Sequence, residues 1–255
     1  PFIMGSHPIN AAEEYRMPLL RFYPVGNGDC SQIILKNGKR LLFDFRHLDK
    51  GENNADPAID LKQTLHDELE YDDRDDIDVV AFSHADADHI KGSTDFFELR
   101  HAKIFQGKGR IKIGTLWVPA AMILEEGAEG EDRILSQEAR FRLLEGKGIR
   151  VFSKPDKLKD WLEENNLSVA EREHLISDAG TIIPEFNIAN DEVEFFIHSP
   201  FSAHVDDNET TQRNGSSIIL QANFEVGQTT SRYILVGDTE YEILDQIVDI
   251  TRYHK

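Results

Sequence analysis

The sequence contains only one cysteine, Cys30, among its 255 residues. A single cysteine cannot form an internal disulfide, and it excludes a zinc site built from several cysteines. The reducing cytoplasm is therefore the predicted location. The sequence also lacks an uninterrupted apolar run of about 18 residues, the length that a membrane-spanning helix needs, so we expect no such helix.

Positive charge is scarce as well. The chain has 28 Lys and Arg residues against 47 Asp and Glu residues, which gives a formal net charge of −19 at pH 7. This balance argues against broad, nonspecific binding to nucleic acid, because such binding depends on a basic face. It leaves room for a local basic groove.

The chain length suits one large domain or two small ones. Residues 1–16 contain the letters MGSH and lack the apolar core of a signal peptide. We interpret them as a tag remnant or a disordered leader, with the native start near Met17. Residues 17–255 are predicted to form one α/β domain.

Strand and helix patterns alternate along these residues. Strands are predicted at 19–25, 31–36, 40–45, 77–82, 113–118, 149–153, 193–199, 216–224 and 232–238. Helices are predicted at 57–70, 96–100, 131–146, 156–166, 169–176 and 240–250. Two mixed sheets packed face to face, with helices outside, would satisfy this order.

Four side chains that can bind metals follow a buried strand in DVVAFSHADADHIKG (78–92). A strand carries its last side chains to the rim of its sheet, where open α/β sheets bind ligands. Alternate residues of an extended segment face the same side, so His84 and Asp86 can converge on one ion. If the chain then turns into a helix, Asp88 and His89 project toward a second ion.

A simpler interpretation applies to each of these residues alone. Asp-Ala-Asp loops are often solvated turns, and a histidine near a strand end is often structural. Four potential ligands within six residues favour the metal site instead.

The HADADH segment at 84–89 resembles the H-x-[HD]-x-D-H signature of the metallo-β-lactamase superfamily. Three further segments resemble, in the same order, motifs of the branch that includes the ComEC-type competence proteins. They are FYPVGNGDCSQIIL (22–35), LLFDF (41–45) and NGSSIILQANFEVGQTTSRYILVGDTE (214–240). The resemblance spans most of residues 18–245.

This resemblance implies a four-layer αββα sandwich with a helical insertion at 119–180, which caps the site or meets a protein partner or a second copy. Arg46 stands where the family has a glycine. The family's last motif, a histidine after a further strand, has no match, because His254 comes too early. We favour the interpretation that the C-terminal part of the fold is missing from this chain; the alternatives are that a separate segment supplies the histidine or that the site is degenerate.

The resemblance also implies the ligands of two divalent ions, zinc or manganese. His84 and Asp86 would hold the first ion, Asp88 and His89 would hold the second, and Asp238 would bridge them. Asp238 can equally be the N-cap of the helix that follows. Asp86 stands in place of a commoner histidine, and its harder oxygen ligand shifts the preference toward manganese without excluding zinc.

Other matched positions carry weaker implications. Asp44 would support the site by hydrogen bonding. Asp29 matches the aspartate in the entry turn of the family's first segment, and the resemblance defines no role for it. The family's third motif supplies a histidine ligand shortly before the final GD strand pair. His204 is the better candidate for this ligand than His198, and an exposed loop histidine is the alternative for both.

The implied function is hydrolysis by a metal-bound hydroxide, with Asp88 or Asp238 managing its proton. Phosphodiester bonds are the expected target, in a nuclease or a nucleotide phosphodiesterase. The segment 101–114, which carries four basic residues and no acid, is predicted to guide a phosphate backbone; a solvated hairpin is the alternative. Two other functions remain open: hydrolysis of a small ester, thioester or lactam, and a non-catalytic binding module with a degraded site.

Overall fold

The computed structural model describes residues 17–49, 58–207 and 213–253. The predicted leader at 1–16 and His254 lie outside the described residues. The described part is a mixed α/β fold with two β-sheets.

The first sheet has eight strands. They are β1 (Leu19–Phe22), β2 (Ser31–Ile34), β3 (Arg40–Phe43), β4 (Asp76–Ala81), β5 (Phe97–Glu98), β6 (Ile111–Pro119), β7 (Ile149–Phe152) and β8 (Ile176–Ser177). Their order is β1-β2-β3-β4-β6-β7-β8, and β5 pairs with β6 beside this path. The first three strands are antiparallel, and every pairing from β3 to β8 is parallel.

The second sheet has three antiparallel strands in the order β11-β10-β9. They are β9 (Val193–Ser199), β10 (Ile219–Val226) and β11 (Thr229–Leu235).

Ten α-helical segments connect or cover the strands within the described ranges. They are α1 (Leu61–Tyr71), α2 (Ala87–Ile90), α3 (Ser93–Phe96), α4 (Ala120–Leu124), α5 (Gly130–Glu145), α6 (Asp156–Glu164), α7 (Val169–Arg172), α8 (Ile188–Asp191), α9 (Ser202–Asp207) and α10 (Tyr241–Tyr253). Within these described ranges, no helix combines the length and the apolar character that a membrane crossing requires.

Local sequence signals account for several of these elements. The β2–β3 hairpin turns at Asn37-Gly38, where Gly38 takes a left-handed φ of +85° and the Asn37 side chain accepts the Lys39 N–H at 3.1 Å. Helix α1 begins after Asp60, whose carboxylate accepts the N–H of Gln63 as an N-cap.

Two apolar cores lie on opposite faces of the first sheet. Helices α1, α5 and α6 pack on one face, where Leu65 of α1 lies among the same buried residues as Val80 of β4. The second sheet packs on the other face, where Trp117 and Phe195 meet edge to face with ring centroids 5.7 Å apart. These two cores place the first sheet as a layer between the helices and the second sheet.

The segment 119–180 is more than a helical insertion. It contains β7 and β8, and both strands pair in parallel within the first sheet. The expected helix at 96–100 is also wrong for most of its length, because α3 ends at Phe96 and β5 follows.

Candidate metal centre

The HADADH segment lies at the carboxyl edge of the first sheet. Strand β4 ends at Ala81 between β3 and β6, and α2 begins at Ala87. Asp44 follows the neighbouring strand β3, and its N–H donates to the Ala81 carbonyl at 2.8 Å. Side chains that follow two adjacent parallel strands therefore meet at one rim, as the sequence predicted.

Two buried histidines face each other at this rim. His84 and His89 are each 1% exposed, and their ring centroids are 4.1 Å apart. Within the described residues, Nε2 of each ring is buried and has no hydrogen-bond partner. A buried polar atom without a partner costs roughly 1–3 kcal/mol, and an ion bound by these two nitrogens would offset that cost.

The opposite nitrogen of each ring is held in place. Nδ1 of His89 lies 2.9 Å from Oδ2 of Asp44, and Nδ1 of His84 lies 3.0 Å from Oγ of Ser83. A hydrogen bond at Nδ1 fixes the ring orientation and leaves the lone pair of the neutral ring on Nε2. Histidines that bind metals usually have such a partner on their second nitrogen.

Asp44 is the centre of this support. Its buried carboxylate accepts the Ser83 N–H at 2.7 Å and the Ser83 hydroxyl at 2.8 Å, besides its contact with His89. Its φ of +56° is left-handed, a conformation that aspartate tolerates better than most residues. With these contacts made, Asp44 is a hydrogen-bonding support, in agreement with its expected role.

Asp238 completes a group of three potential ligands. One ligand atom each from His84, His89 and Asp238 lie within 4.8 Å of one another. Oδ2 of Asp238 is 3.3 Å from Nε2 of His89, although the pair lacks hydrogen-bond geometry. Helix α10 begins at Tyr241, so Asp238 lies before the N-cap position rather than in it.

The close approach of Asp238 depends on the glycine before it. Gly237 has a φ of +59°, and a Cβ at this position would lie 3.0 Å from the Ser83 Cβ. A larger residue would push the loop after β11 away from the HADADH segment. The second sheet therefore delivers one carboxylate to histidines that belong to the first.

Charge and burial affect the two histidines in opposite ways. Burial, and next the charge of His89, lower the pKa of His84. Burial also lowers the pKa of His89, but the Asp44 hydrogen bond and the Asp44 and Asp238 charges outweigh it and raise the pKa to about 9. A metal ion at Nε2 of His89 therefore competes with a proton.

The two remaining carboxylates of the motif lie outside the three-residue group. Asp86 approaches His84, with Oδ2 at 3.5 Å from Nε2, while its Oδ1 accepts a hydrogen bond from Arg213. Asp88 lies on the side of Asp29, where its carbonyl accepts the Asp29 N–H at 3.4 Å. Asp86 thus lies beside His84, and Asp238 lies beside His89. The roles of Asp86, Asp88 and Asp238 as metal ligands stay predictions.

A second group contains Asp29, Asp44 and His89, with ligand atoms within 4.8 Å. It shares His89 with the first group, and its Asp44 carboxylate already accepts three hydrogen bonds. The donor set of His84, His89 and Asp238 therefore fits one divalent ion well. The described residues offer no independent group of this kind for the predicted second ion.

The two third-motif histidines do not join the group. His198 lies on the outer face of β9, 3.3 Å from the Gln221 side chain, and burial lowers its pKa. His204 lies in α9, with its ring edge-on to Phe201 at 5.4 Å. Neither histidine belongs to a metal-binding group among the residues that the structure describes.

The basic segment 101–114 leads into the start of β6, at the edge of the first sheet opposite the HADADH segment. Lys112 is level with Asp76 at the start of β4, whereas the HADADH segment follows the end of that strand. Lys112 is paired with Asp75 at 2.5 Å, and Arg110 donates to the carbonyls of Thr94 and Phe97. That this segment steers a phosphate backbone to the metal stays a prediction, which these positions do not support.

A cavity of about 180 Å³ lies between the two sheets beside the centre. Asp29, Asp44, Ser83 and Gly237 form its polar wall. The other walls are apolar or aromatic, and they include Phe22, Tyr23, Phe43 and Tyr233.

Sequence reasoning missed two polar side chains that organise the centre. Ser83 precedes the motif by one position and contacts Asp44 and both histidines. Arg213 lies far away in sequence and has no motif of its own, so only the fold reveals its contact with Asp86.

A scan against protein-family models finds no match for this chain, and a search of curated proteins finds none either. The resemblance to the metallo-β-lactamase superfamily therefore rests on the motifs alone.

Proposed function

We propose that this protein is a metal-dependent hydrolase of phosphodiester bonds. The observation that carries the proposal is the pair of buried imidazoles, His84 and His89, whose ring centroids lie 4.1 Å apart, whose Nε2 atoms have no partner and which form a group of three potential ligands with Asp238. Buried polar atoms are normally hydrogen-bonded, and an unsatisfied pair of this kind is a recurrent property of a ligand site.

The three residues would hold one zinc or manganese ion. Such an ion, when bound, lowers the pKa of a coordinated water toward neutrality and polarises an oxygen of the substrate. The chain's own residues position the ligands. Asp44 and Ser83 orient the two rings, and burial of both histidines keeps competing water away from them. The second ion that the resemblance implies, with Asp88 among its ligands and Asp238 between the two ions, remains part of the proposal.

Two carboxylates are candidates for handling the proton of the attacking water. Asp238 is 48% exposed on its side chain, so it can exchange protons with solvent. Asp88, the base proposed from the motif, lies outside the three-residue group. An Asp88→Ala variant therefore tests its role, because a base that is not a ligand can be removed without loss of the metal at His84 and His89.

The phosphodiester target follows from the motif resemblance and from the charge of the ion itself. A divalent ion is often the largest local charge in its site and can attract a phosphate without a basic surface. The net charge of −19 favours a nucleotide or a short strand over nonspecific capture of long nucleic acid.

We infer that the fold is the four-layer αββα sandwich of that superfamily. The described order of helices, first sheet and second sheet supports three of its layers. Helix α10 supports the fourth, since Ile247 and Ile250 line a groove of about 480 Å³ together with outward side chains of β9 and β10. A protein partner or second copy at 119–180, and the cytoplasmic location, remain predictions.

The test is hydrolysis by protein that has been stripped with a chelator and reloaded with zinc or manganese. Bis-nitrophenyl phosphate, nitrophenyl acetate and a chromogenic lactam are assayed in parallel, with His89→Ala as the inactive variant. Metal-dependent cleavage of the phosphodiester alone supports the proposal. Cleavage of only the acetate or the lactam would favour the small-substrate hydrolase, and metal binding without any cleavage would favour a binding module.

A further inference from the structure

One guanidinium connects the HADADH segment to two other parts of the fold. Nη1 of Arg213 donates to the Ala85 carbonyl at 2.9 Å and to Oδ1 of Asp86 at 3.1 Å. Its Nε donates to Oε1 of Glu125 at 3.2 Å, and its Nη2 donates to both Glu125 and Asp132. All three nitrogens of this side chain are therefore engaged.

Two largely buried carboxylates fix the position of Arg213. Glu125 follows α4 and is 12% exposed, and Asp132 lies in the first turn of α5 and is 7% exposed. Hydrogen bonds between charged partners are about twice as strong as neutral ones. Because Glu125 and Asp132 hold Nε and Nη2, only Nη1 is directed at the HADADH segment, and these two carboxylates fix its position there.

Asp86 responds to this anchor. It is the N-cap residue of α2, yet its carboxylate makes no capping hydrogen bond, although an N-cap aspartate usually accepts a backbone N–H of its own helix. Instead Oδ1 faces Arg213, and Oδ2 lies 3.5 Å from Nε2 of His84. One oxygen is thus used for support, and the other is left beside the unpartnered histidine nitrogen.

We propose that Arg213 is a positioning residue that holds Asp86 with Oδ2 turned toward Nε2 of His84, where it reaches a divalent ion bound at the centre. The inference rests on the proposed function, since it requires that the centre binds metal. In the absence of the Arg213 contact, Asp86 is free to rotate or to cap α2.

A purely structural role for Arg213 makes a different prediction, and a neighbouring arginine provides the control. Arg140 donates to the carbonyls of Ile123 and Glu125 at 2.7 and 2.8 Å, so it ties down the same end of α4. Within the described part of the chain, Arg140 makes no hydrogen bond to Asp86. Replacing either arginine therefore removes hydrogen bonds at this end of α4, whereas only replacing Arg213 removes the contact with Asp86.

The experiment measures metal affinity, with zinc in competition against a chromophoric chelator, and the visible spectrum of the cobalt-loaded protein. Arg213→Lys keeps the charge but loses the planar fork that reaches three carboxylates. We expect about tenfold weaker zinc binding, the usual cost of removing a residue that supports a metal ligand, and an altered cobalt spectrum. Arg140→Lys is expected to keep the affinity and the spectrum of the unaltered protein.

The Asp86→Ala background shows whether Arg213 acts through Asp86. With no carboxylate to position, Arg213→Lys is expected to have no further effect on affinity. An unchanged affinity in Arg213→Lys, or the same tenfold loss in the Asp86→Ala background, would overturn the inference. If circular dichroism shows that Arg213→Lys does not fold, Glu125→Gln replaces it, with a smaller loss expected and the same dependence on Asp86.

The two proposals fail in different ways. If the unaltered protein binds neither zinc nor cobalt, the proposed function fails and this inference fails with it. If the unaltered protein binds metal but Asp86→Ala and Arg213→Lys bind it equally well, only the inference about Arg213 is overturned.

Discussion

Glu138 and Arg142 are both fully buried on α5, and His84 and His89 are buried to almost the same degree at the rim of the first sheet. The Glu138 carboxylate is satisfied from within the fold: it accepts hydrogen bonds from Arg142 Nε at 2.6 Å and from the His101 backbone N–H at 2.9 Å. The two rim histidines and Asp238 instead bring one potential metal ligand each within 4.8 Å of one another, and Nε2 of each histidine has no hydrogen-bond partner.

This difference separates a structural cluster from a candidate site. Burial of titratable groups occurs in both regions, so burial alone does not identify function. An unpartnered atom does not identify it either, because Nη2 of Arg142 is also buried without a partner. What distinguishes the rim is that ligand atoms of His84, His89 and Asp238 lie within 4.8 Å of one another, while Nδ1 of each histidine is held by Asp44 or Ser83. Glu138 pairs with Arg142 within the fold, whereas the rim groups two histidines and a carboxylate of the kind that bind a metal ion.

The largest expected effect is on the free energy of unfolding and concerns the buried Glu138–Arg142 pair. Glu138→Ala leaves the Arg142 guanidinium buried without its carboxylate, and breaking a buried pair in this way costs about 3–5 kcal/mol of unfolding free energy. Chemical denaturation measures this loss. Glu145→Ala on the same helix is the control, since Glu145 pairs with Arg100 at the surface; a loss of equal size there would contradict the distinction.

The next effect is the stabilisation of the protein by zinc at the rim histidines. Zinc at 100 times its dissociation constant should stabilise the unaltered protein by about 2.7 kcal/mol, and His84→Ala should abolish that stabilisation. Thermal unfolding with and without zinc measures both. His198→Ala is the matched control, because His198 lies on the outer face of β9. Zinc stabilisation that persists in His84→Ala would remove this histidine from the site.

A smaller effect is expected at the support of the site. Asp44→Asn keeps the size of the side chain and tolerates the left-handed backbone, but it removes the charge next to His89. We expect about tenfold weaker zinc binding, measured by chelator competition. Asp191→Asn, which alters a buried carboxylate paired with Lys39, should leave zinc affinity unchanged; equal losses in both variants would point to a general change in charge.

The smallest effect is expected at the amino edge of the same sheet. Lys103 and Lys108 are exposed in the basic segment, away from the HADADH segment. Replacing both by glutamate should leave the rate of phosphodiester hydrolysis unchanged, as steady-state kinetics would show. A large fall in kcat/KM would reinstate the segment as a substrate guide.

Much of the fold could be predicted from local pattern. Strand β4 and helix α1 have clear apolar periodicity, and Asn37-Gly38 correctly predicts a hairpin. The role of 119–180 could not be predicted, because β8 has only two residues, Ile176 and Ser177, at the end of a helical pattern. Its place in the first sheet depends on pairing with β7, which no local signal encodes.

The candidate site shows the same division. The spacing of His84 and His89 after a buried strand predicted that both reach the rim, and the segment with Asp238 correctly predicted a carboxylate near them. The orientation of Asp86 could not be predicted, since it depends on Arg213, more than a hundred residues further along the chain. Sequence pattern located the candidate ligands, and tertiary contacts decided their partners.

Metal content tests the central claim most directly. The protein is stripped with a chelator, dialysed against zinc, washed and subjected to elemental analysis beside a His84→Ala/His89→Ala double variant. We predict at least one tightly held zinc per chain in the unaltered protein and none in the double variant. If both proteins are folded and hold equally little zinc, the rim histidines do not form a metal site and the proposed hydrolase is contradicted.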